Sequence, residues 1–253
     1  MVIEIKRGQV TLFIILALVI IVGILAAVFF MTRTTEINAP AEENPVNFVQ
    51  DCVQEKVEDA VFSVMDGGGR TEPSQYIPYK DYDYNYLCYT ADYYTTCYNT
   101  HPMLELIAET EIREATKDEV QECFNSMRTE LESKGYSVSG SSTSYSIDLL
   151  PGSVDIKLEK PITVSRDGTS QSYEDFSFGV MSPLYNMIWL ARLIVNDESQ
   201  YCNFEYNGFM ILYPEFDIRR IDYDESRLYR VIDRNTGYEF KFAVRSCAFA
   251  PGI

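Results

Sequence analysis

The residue types that most often perform catalysis are sparse in this sequence. Its 253 residues include one histidine, His101, which stands between a threonine and a proline. A histidine without a partner is more often a loop or helix-start residue than a catalytic base. The run Gly67-Gly68-Gly69 lacks the preceding strand and the following lysine of a phosphate loop, so it predicts a helix end. With no nucleophile elbow or zinc-helix motif, the sequence predicts a non-enzymatic protein with no cofactor and no metal.

Six cysteines offer a different chemistry, which is the formation of disulfides. Their number is even and none are spaced as C-x-x-C, which favours three disulfides in an oxidising compartment over a zinc site. Six cysteines allow about 15 pairings. Cys88 and Cys97 are favoured as a local pair. Cys52 with Cys123 would join two predicted helices, and Cys202 with Cys247 would flank a predicted strand meander.

Tyrosines crowd residues 76–98, where nine occur in 23 positions. Their alternation predicts a strand that leads into a disulfide-closed loop. A tyrosine combines an apolar ring with a polar tip, so such a surface suits a protein ligand or the flat faces and hydroxyls of a glycan. The alternative is an edge hairpin whose rings cover the core. The candidate recognition residues are Tyr82, Tyr84, Tyr86, Tyr89, Tyr93 and Tyr94.

The charge of the chain is strongly acidic, with a formal net value of −17. Residues 1–33 contain three basic residues, Lys6, Arg7 and Arg33, and one acidic residue, Glu4. Residues 34–253 therefore carry a formal net charge of −19. Such a surface repels phosphate backbones, which argues against a nucleic-acid partner. The excess is either a solubility feature or a site for cations or a basic partner. No calcium-loop motif accompanies it.

The N-terminal region contains a long apolar stretch, residues 10–31, in which Thr11 is the polar member. A helix of this length spans about 33 Å, enough to cross the core of a bilayer. The basic pair before it places the N-terminus in the cytoplasm. The sequence therefore predicts a single-pass protein of the cell membrane with four parts: a cytoplasmic basic leader (1–9), a transmembrane helix (10–31), a linker (32–44) and an extracellular domain (45–253).

The first residues also carry a possible processing signal, in which Lys6-Arg7-Gly8-Gln9 precedes the apolar stretch. This N-terminus resembles the class III signal peptide of archaeal type IV pilin-like surface proteins, over about residues 5–31. The resemblance implies a prepilin-type peptidase that cuts between Gly8 and Gln9. Phe13 stands at the fifth mature position, where the family often has glutamate.

The periodicity of the remaining chain predicts three main helices and one further helical region. Asn44 caps a helix over residues 45–65 whose valines recur at steps of three and four. A helical region begins at Pro102, and a separate helix begins at the capping box of Thr116–Glu119. A very apolar helix follows Pro183 and is too short to span a membrane.

Short strands are predicted from residue 136 onward, and the C-terminal meander begins with a strand at residues 209–213. The expected fold class is therefore α+β, with one N-terminal transmembrane helix before a disulfide-bonded extracellular domain of antiparallel strands and three main helices. The candidate sub-lobes of that domain are residues 45–135 and 136–253.

Three functions follow from these features. The leading hypothesis is a non-enzymatic, membrane-anchored cell-surface protein, exported by the pilin-like route, which serves adhesion or recognition through a protein or glycan ligand. Its other partners would be the lipid bilayer and the peptidase. The second is a structural subunit of a pilus-like filament, which requires self-assembly. The third is a secreted hydrolase, tethered to the membrane, that uses acidic residues.

Overall fold

A computed structural model describes residues 17–24, 44–140, 144–158, 161–174 and 177–252. The chain divides into two units, residues 1–41 and 42–253. In the first unit, residues 17–24 form helix α1, whose apolar side chains are exposed. The second unit contains all the other helices and strands described below.

The prediction of a membrane-spanning helix over residues 10–31 is wrong for the part of the chain that the structure describes. Within that stretch the structure describes residues 17–24, which are helical. No helix among the described residues is long and apolar enough to cross a membrane. The candidate processing residues Gly8 and Gln9 lie outside the described residues, as does the linker up to residue 43.

The described residues of the second unit form four helices: α2 (Pro45–Asp66), α3 (Leu104–Ser133), α4 (Leu184–Tyr201) and α5 (Tyr206–Leu212). The predicted start of α2 is confirmed, because the side chain of Asn44 accepts a hydrogen bond from the backbone N–H of Val46 at 3.0 Å. Helix α3 is one continuous helix, not two. Helix α5 replaces the strand expected at residues 209–213.

The described residues also form twelve strands, which together with the helices make the fold α+β. In chain order the strands are β1 (Tyr76–Tyr79), β2 (Tyr82–Tyr89), β3 (Tyr98–Asn99), β4 (Ser137–Ser139), β5 (Tyr145–Leu150), β6 (Ser153–Leu158), β7 (Ile162–Arg166), β8 (Thr169–Tyr173), β9 (Ser177–Met181), β10 (Phe216–Tyr223), β11 (Ser226–Asp233) and β12 (Glu239–Arg245).

The main sheet has the order β1-β2-β12-β11-β10, and β3 pairs with β2 beside this path. Strands β2 and β12 run parallel to each other, so the expectation of purely antiparallel strands is too simple. The other strand pairs of this sheet are antiparallel. Two further sheets have three strands each, in the orders β4-β7-β8 and β5-β6-β9.

Both faces of the main sheet bury apolar side chains. On the inner face, Tyr229, Phe240 and Phe242 are fully buried in the main core, and the sheet contacts α2 and α4. The outer face carries a smaller cluster, formed by Ile77, Tyr84, Tyr86, Leu228 and Ala243. The alternation along β11 and β12 sends successive side chains to these two faces.

Three disulfides staple the second unit, and their pairing is the one favoured by the sequence. Cys52–Cys123 joins α2 to α3, and Cys88–Cys97 joins β2 to the loop after it. Cys202–Cys247 joins the end of α4 to the segment after β12. The corresponding Cα–Cα distances are 5.9, 5.4 and 5.8 Å. The third disulfide fixes the C-terminal segment beside the end of the main sheet.

A candidate binding cleft at the end of the main sheet

The six tyrosines predicted to form a recognition surface divide into two groups. Tyr84 and Tyr86 are only 2% and 7% exposed, and belong to the outer-face cluster, so they are core residues rather than recognition residues. Burial raises the pKa of both phenols above the ordinary value. The rings of Tyr82, Tyr93 and Tyr94 are exposed, and Tyr89 is half-buried.

The exposed tyrosines do not form one surface. Tyr82 and Tyr89 occupy opposite ends of β2, which are about 23 Å apart in an extended strand. The ring of Tyr82 lies 3.9 Å from Nζ of Lys241, which also pairs with Asp66 at the end of α2. Tyr93 and Tyr94 belong to a different neighbourhood, beside the turn between β10 and β11.

A cleft with a volume of about 520 Å³ lies at that end of the main sheet. Its lining comes from the β10–β11 turn (residues 222–227) and from the segment after β12 (residues 246–249). Asn203, just after α4, and Arg220 of β10 complete it. We refer to this feature as the cleft. Sequence reasoning missed most of these residues, because no motif links the turn to the C-terminal segment.

The tyrosine loop, residues 90–97, packs against the lining residues. The hydroxyl of Tyr93 donates to Oε1 of Glu225 at 3.3 Å, and the ring of Tyr94 meets that of Phe249 edge to face at 5.7 Å. Backbone bonds hold the loop to the C-terminal segment, since the N–H of Tyr94 donates to the carbonyl of Ala248 at 2.9 Å. Part of the predicted recognition surface, Tyr93 and Tyr94, therefore contacts residues that line the cleft.

Arg245 ties the turn to the last strand. Its Nη2 donates to Oε2 of Glu225 at 2.8 Å, and its Nη1 donates to the carbonyl oxygen of Thr90. The guanidinium carbon also lies 5.1 Å from the ring centroid of Tyr93. Because this arginine side chain is only 9% exposed, its charge depends on Glu225 for compensation.

A buried carboxylate pairs with Arg227, one of the residues that line the cleft. Glu198 of α4 is fully buried, and its two oxygens accept hydrogen bonds at 2.5 Å from Nη1 of Arg227 and from the hydroxyl of Tyr229. Burial, followed by the neighbouring carboxylate, raises the pKa of Tyr229 well above its ordinary value. Both oxygens of Glu198 are thus engaged in holding strand β11 against α4.

The charges around the cleft cancel in pairs. Arg227 faces Glu198, Arg245 faces Glu225, and Nε of Arg220 lies 3.5 Å from Asp222. Within the described residues, Asp224 is the lining carboxylate that has no ion pair. A cleft of this kind presents many hydrogen-bond donors and acceptors but little net charge.

The backbone at the cleft is held in an unusual conformation. Seven non-glycine residues among those described have a positive φ, and five belong to the segments that build or brace the cleft: Tyr94, Cys202, Asp224, Glu225 and Cys247. Such a conformation costs on the order of 1–2 kcal/mol for each residue with a side chain. Clusters of this kind are typical of functional sites, where surrounding contacts hold the strained backbone.

His101 has a structural environment instead of a catalytic one. Its Nε2 accepts from Nε of Arg70 at 3.2 Å, and its Nδ1 lies 2.9 Å from the hydroxyl of Thr100. Because that hydroxyl already donates to the carbonyl of Tyr86 at 2.6 Å, Nδ1 carries the imidazole proton. Burial, and then the charge of Arg70, lower the pKa of His101 below 6.5. The neutral imidazole of His101, in the segment before α3, thus accepts a hydrogen bond from Arg70 in the segment before β1.

Comparison with known proteins found no matching family model, no matching curated protein and no matching solved structure. Among the described residues, no group of three or more histidine, cysteine, aspartate or glutamate side chains could hold a metal ion. The functional proposal therefore depends on the geometry of the cleft.

Proposed function

We propose that this protein is a non-enzymatic recognition module that binds glycans in the cleft. The observation that carries this proposal is the convergence of the β10–β11 turn and the C-terminal segment around a cleft of about 520 Å³, with the tyrosine loop packed against both. That volume lies within the roughly 300–1,000 Å³ typical of small-ligand sites. The backbone strain at its border supports the same location.

The chemistry of the lining favours sugars over other ligands. Phe249 and Tyr223 line the cleft and are 76% and 42% exposed, and Tyr94, which contacts Phe249, is 53% exposed, so these rings can pack against the apolar faces of a sugar. The lining arginines can donate to hydroxyls and the lining carboxylates can accept from them: Arg220, Arg227, Asp222, Asp224 and Glu225. Because these charges cancel in pairs, an uncharged and hydroxyl-rich ligand fits better than a phosphate or a peptide of high charge.

Two further features agree with a binding role outside the reducing cytoplasm. Three disulfides are expected in an oxidising compartment. The net charge of −17 opposes the binding of nucleic acids. Glu198 and Glu225 are held by arginines, so Asp224 alone among the described lining carboxylates lacks an ion pair, whereas glycoside hydrolases generally use two carboxylates.

A glycan array probed with the full-length protein tests this proposal. The matched variants are Phe249→Ala in the cleft and Tyr98→Ala on β3, because both rings are 76% exposed and only the first lines the cleft. We expect the wild type and Tyr98→Ala to bind the same glycans, and Phe249→Ala to lose at least about tenfold in affinity. Absence of binding to every glycan, or equal effects of the two substitutions, would refute it.

A further inference from the structure

We infer that the cleft continues into an aromatic track formed by Tyr223 and Tyr79, so that the ligand is a chain of several sugar units instead of a single terminal sugar. This inference rests on the proposed function and specifies the ligand class of the same site. Its starting point is Tyr223, which both lines the cleft and contacts a second tyrosine outside it.

The two rings meet although their strands occupy opposite edges of the main sheet. Tyr223 ends β10 and Tyr79 ends β1, and four strand spacings would separate these edges by about 19 Å in a flat sheet. Their ring centroids are nevertheless 4.9 Å apart, at an interplanar angle of 62°. The outer face must therefore curl, and it brings a second ring next to the one that borders the cleft.

The track is rigid because buried neighbours support it. The ring of Tyr79 packs edge to face on Tyr84 at 6.3 Å, and Tyr84 is itself only 2% exposed. Nζ of Lys80 lies 5.3 Å above the ring of Tyr79. A preorganised ring loses little conformational freedom when a ligand packs on it. The exposed and flexible lysine can move aside at small cost, so the ring face is accessible to a chain that leaves the cleft.

The composition of the outer face favours a sugar chain over a partner protein. Its aliphatic residues Ile77 and Leu228 are already buried, at 6% and 0% exposure. Large aliphatic anchors are scarce on this face, where Ile221 is partly buried and the other partly buried apolar side chains of the cluster are the phenol rings of Tyr79 and Tyr89. Rings in succession beside a polar cleft match the alternating apolar faces and hydroxyls of a glycan chain.

Calorimetric titration of the full-length protein with oligosaccharides of defined length tests the inference. The probes are β-1,4-glucan, α-1,4-glucan and β-1,4-linked N-acetylglucosamine series of two to six units, together with the best ligand of the array. The variants are Tyr79→Ala and, as the matched control, Tyr76→Ala. Tyr76 belongs to the same strand and is exposed, but it alternates to the other side of β1.

For a series that binds, we expect affinity to rise about tenfold between the disaccharide and the longest chain. Tyr79→Ala should abolish this rise and leave disaccharide affinity within about twofold, whereas Tyr76→Ala should keep the rise. Affinity that does not change with chain length, or a rise that survives in Tyr79→Ala, would overturn the aromatic track alone. If no glycan binds to the wild type at all, the proposed function itself fails.

Discussion

Arg245 and Glu225 form the ion pair on which the geometry of the cleft depends. Nη2 of Arg245 lies 2.8 Å from the carboxylate of Glu225, and the two side chains are 9% and 30% exposed. Glu225 sits in the left-handed region with a φ of 61°, and Asp224 beside it has a φ of 44°. A two-residue hairpin loop of this conformation usually contains asparagine and glycine. The ion pair therefore holds a turn that its own residue types do not favour.

Replacement of Glu225 by glutamine should destabilise the protein by about 1–3 kcal/mol, because it leaves the buried Arg245 cation without its counter-charge. Urea unfolding provides the measurement. Asp217→Asn is the control, since its partner Arg219 is 57% exposed and such surface pairs contribute about 0–1 kcal/mol. Comparable losses in the two variants would show that Glu225 has no special role in the turn.

The environment of His101 predicts a specific pH dependence. Its folded pKa is lowered from 6.5 by burial and by Arg70, so the unfolded chain takes up the proton first as the pH falls. Stability contributed by the neutral ring is complete above about pH 6.5 and is lost between that pH and the lower folded pKa. Unfolding experiments across this window should show the loss in the wild type but not in His101→Gln.

Glu109 gives a trend of the opposite sign. Burial raises the pKa of its carboxyl, so protonation in acid relieves an unfavourable charge in the folded state. Glu109 is present in both the wild type and His101→Gln, so its contribution cancels when the unfolding free energies of the two proteins are subtracted.

An NMR titration measures the pKa of His101 directly. The sequence has one histidine, so the imidazole signals are unambiguous. A pKa at or above 6.5, or a proton on Nε2, would contradict the described network.

The buried contact between Tyr229 and Glu198 predicts a strong energetic coupling. Tyr229→Phe removes a hydrogen bond at 2.5 Å from a fully buried carboxylate, and should cost about 2–3 kcal/mol in unfolding free energy. In a Glu198→Gln background the same change should cost less, because the charge is gone. Strictly additive losses in this double-mutant cycle would mean that the two groups act independently.

Local sequence signals predicted the parts of the fold that depend on neighbours along the chain. The cap at Asn44 and the valines of α2 specify a helix without reference to the rest of the molecule. The disulfide between Cys52 and Cys123 follows from two helical stripes that must face each other. The break expected at Thr116 is absent, because its hydroxyl bonds instead to the carbonyl of Ile112 at 2.8 Å within the buried interior of α3.

Features that depend on packing between distant parts of the chain could not be predicted from local sequence patterns. Alternation along β2 separates its two faces, but it does not reveal that the face of Tyr84 and Tyr86 is buried by Leu228, which is over 140 positions away in sequence. The short helix α5 carries residues of strand-like composition, and it packs beside β10. The cleft joins turn residues 222–227 to Phe249, and no local pattern encodes that proximity.

Hydrogen exchange of backbone amides, with and without a saturating concentration of the best oligosaccharide on the array, tests the central claim most directly. The account predicts slower exchange in three segments that are distant in sequence, residues 90–97, 222–227 and 246–250, with no comparable change in the sheet β4-β7-β8. Protection confined to other surfaces, or an unchanged exchange pattern despite binding, would contradict the assignment of the cleft as the glycan site.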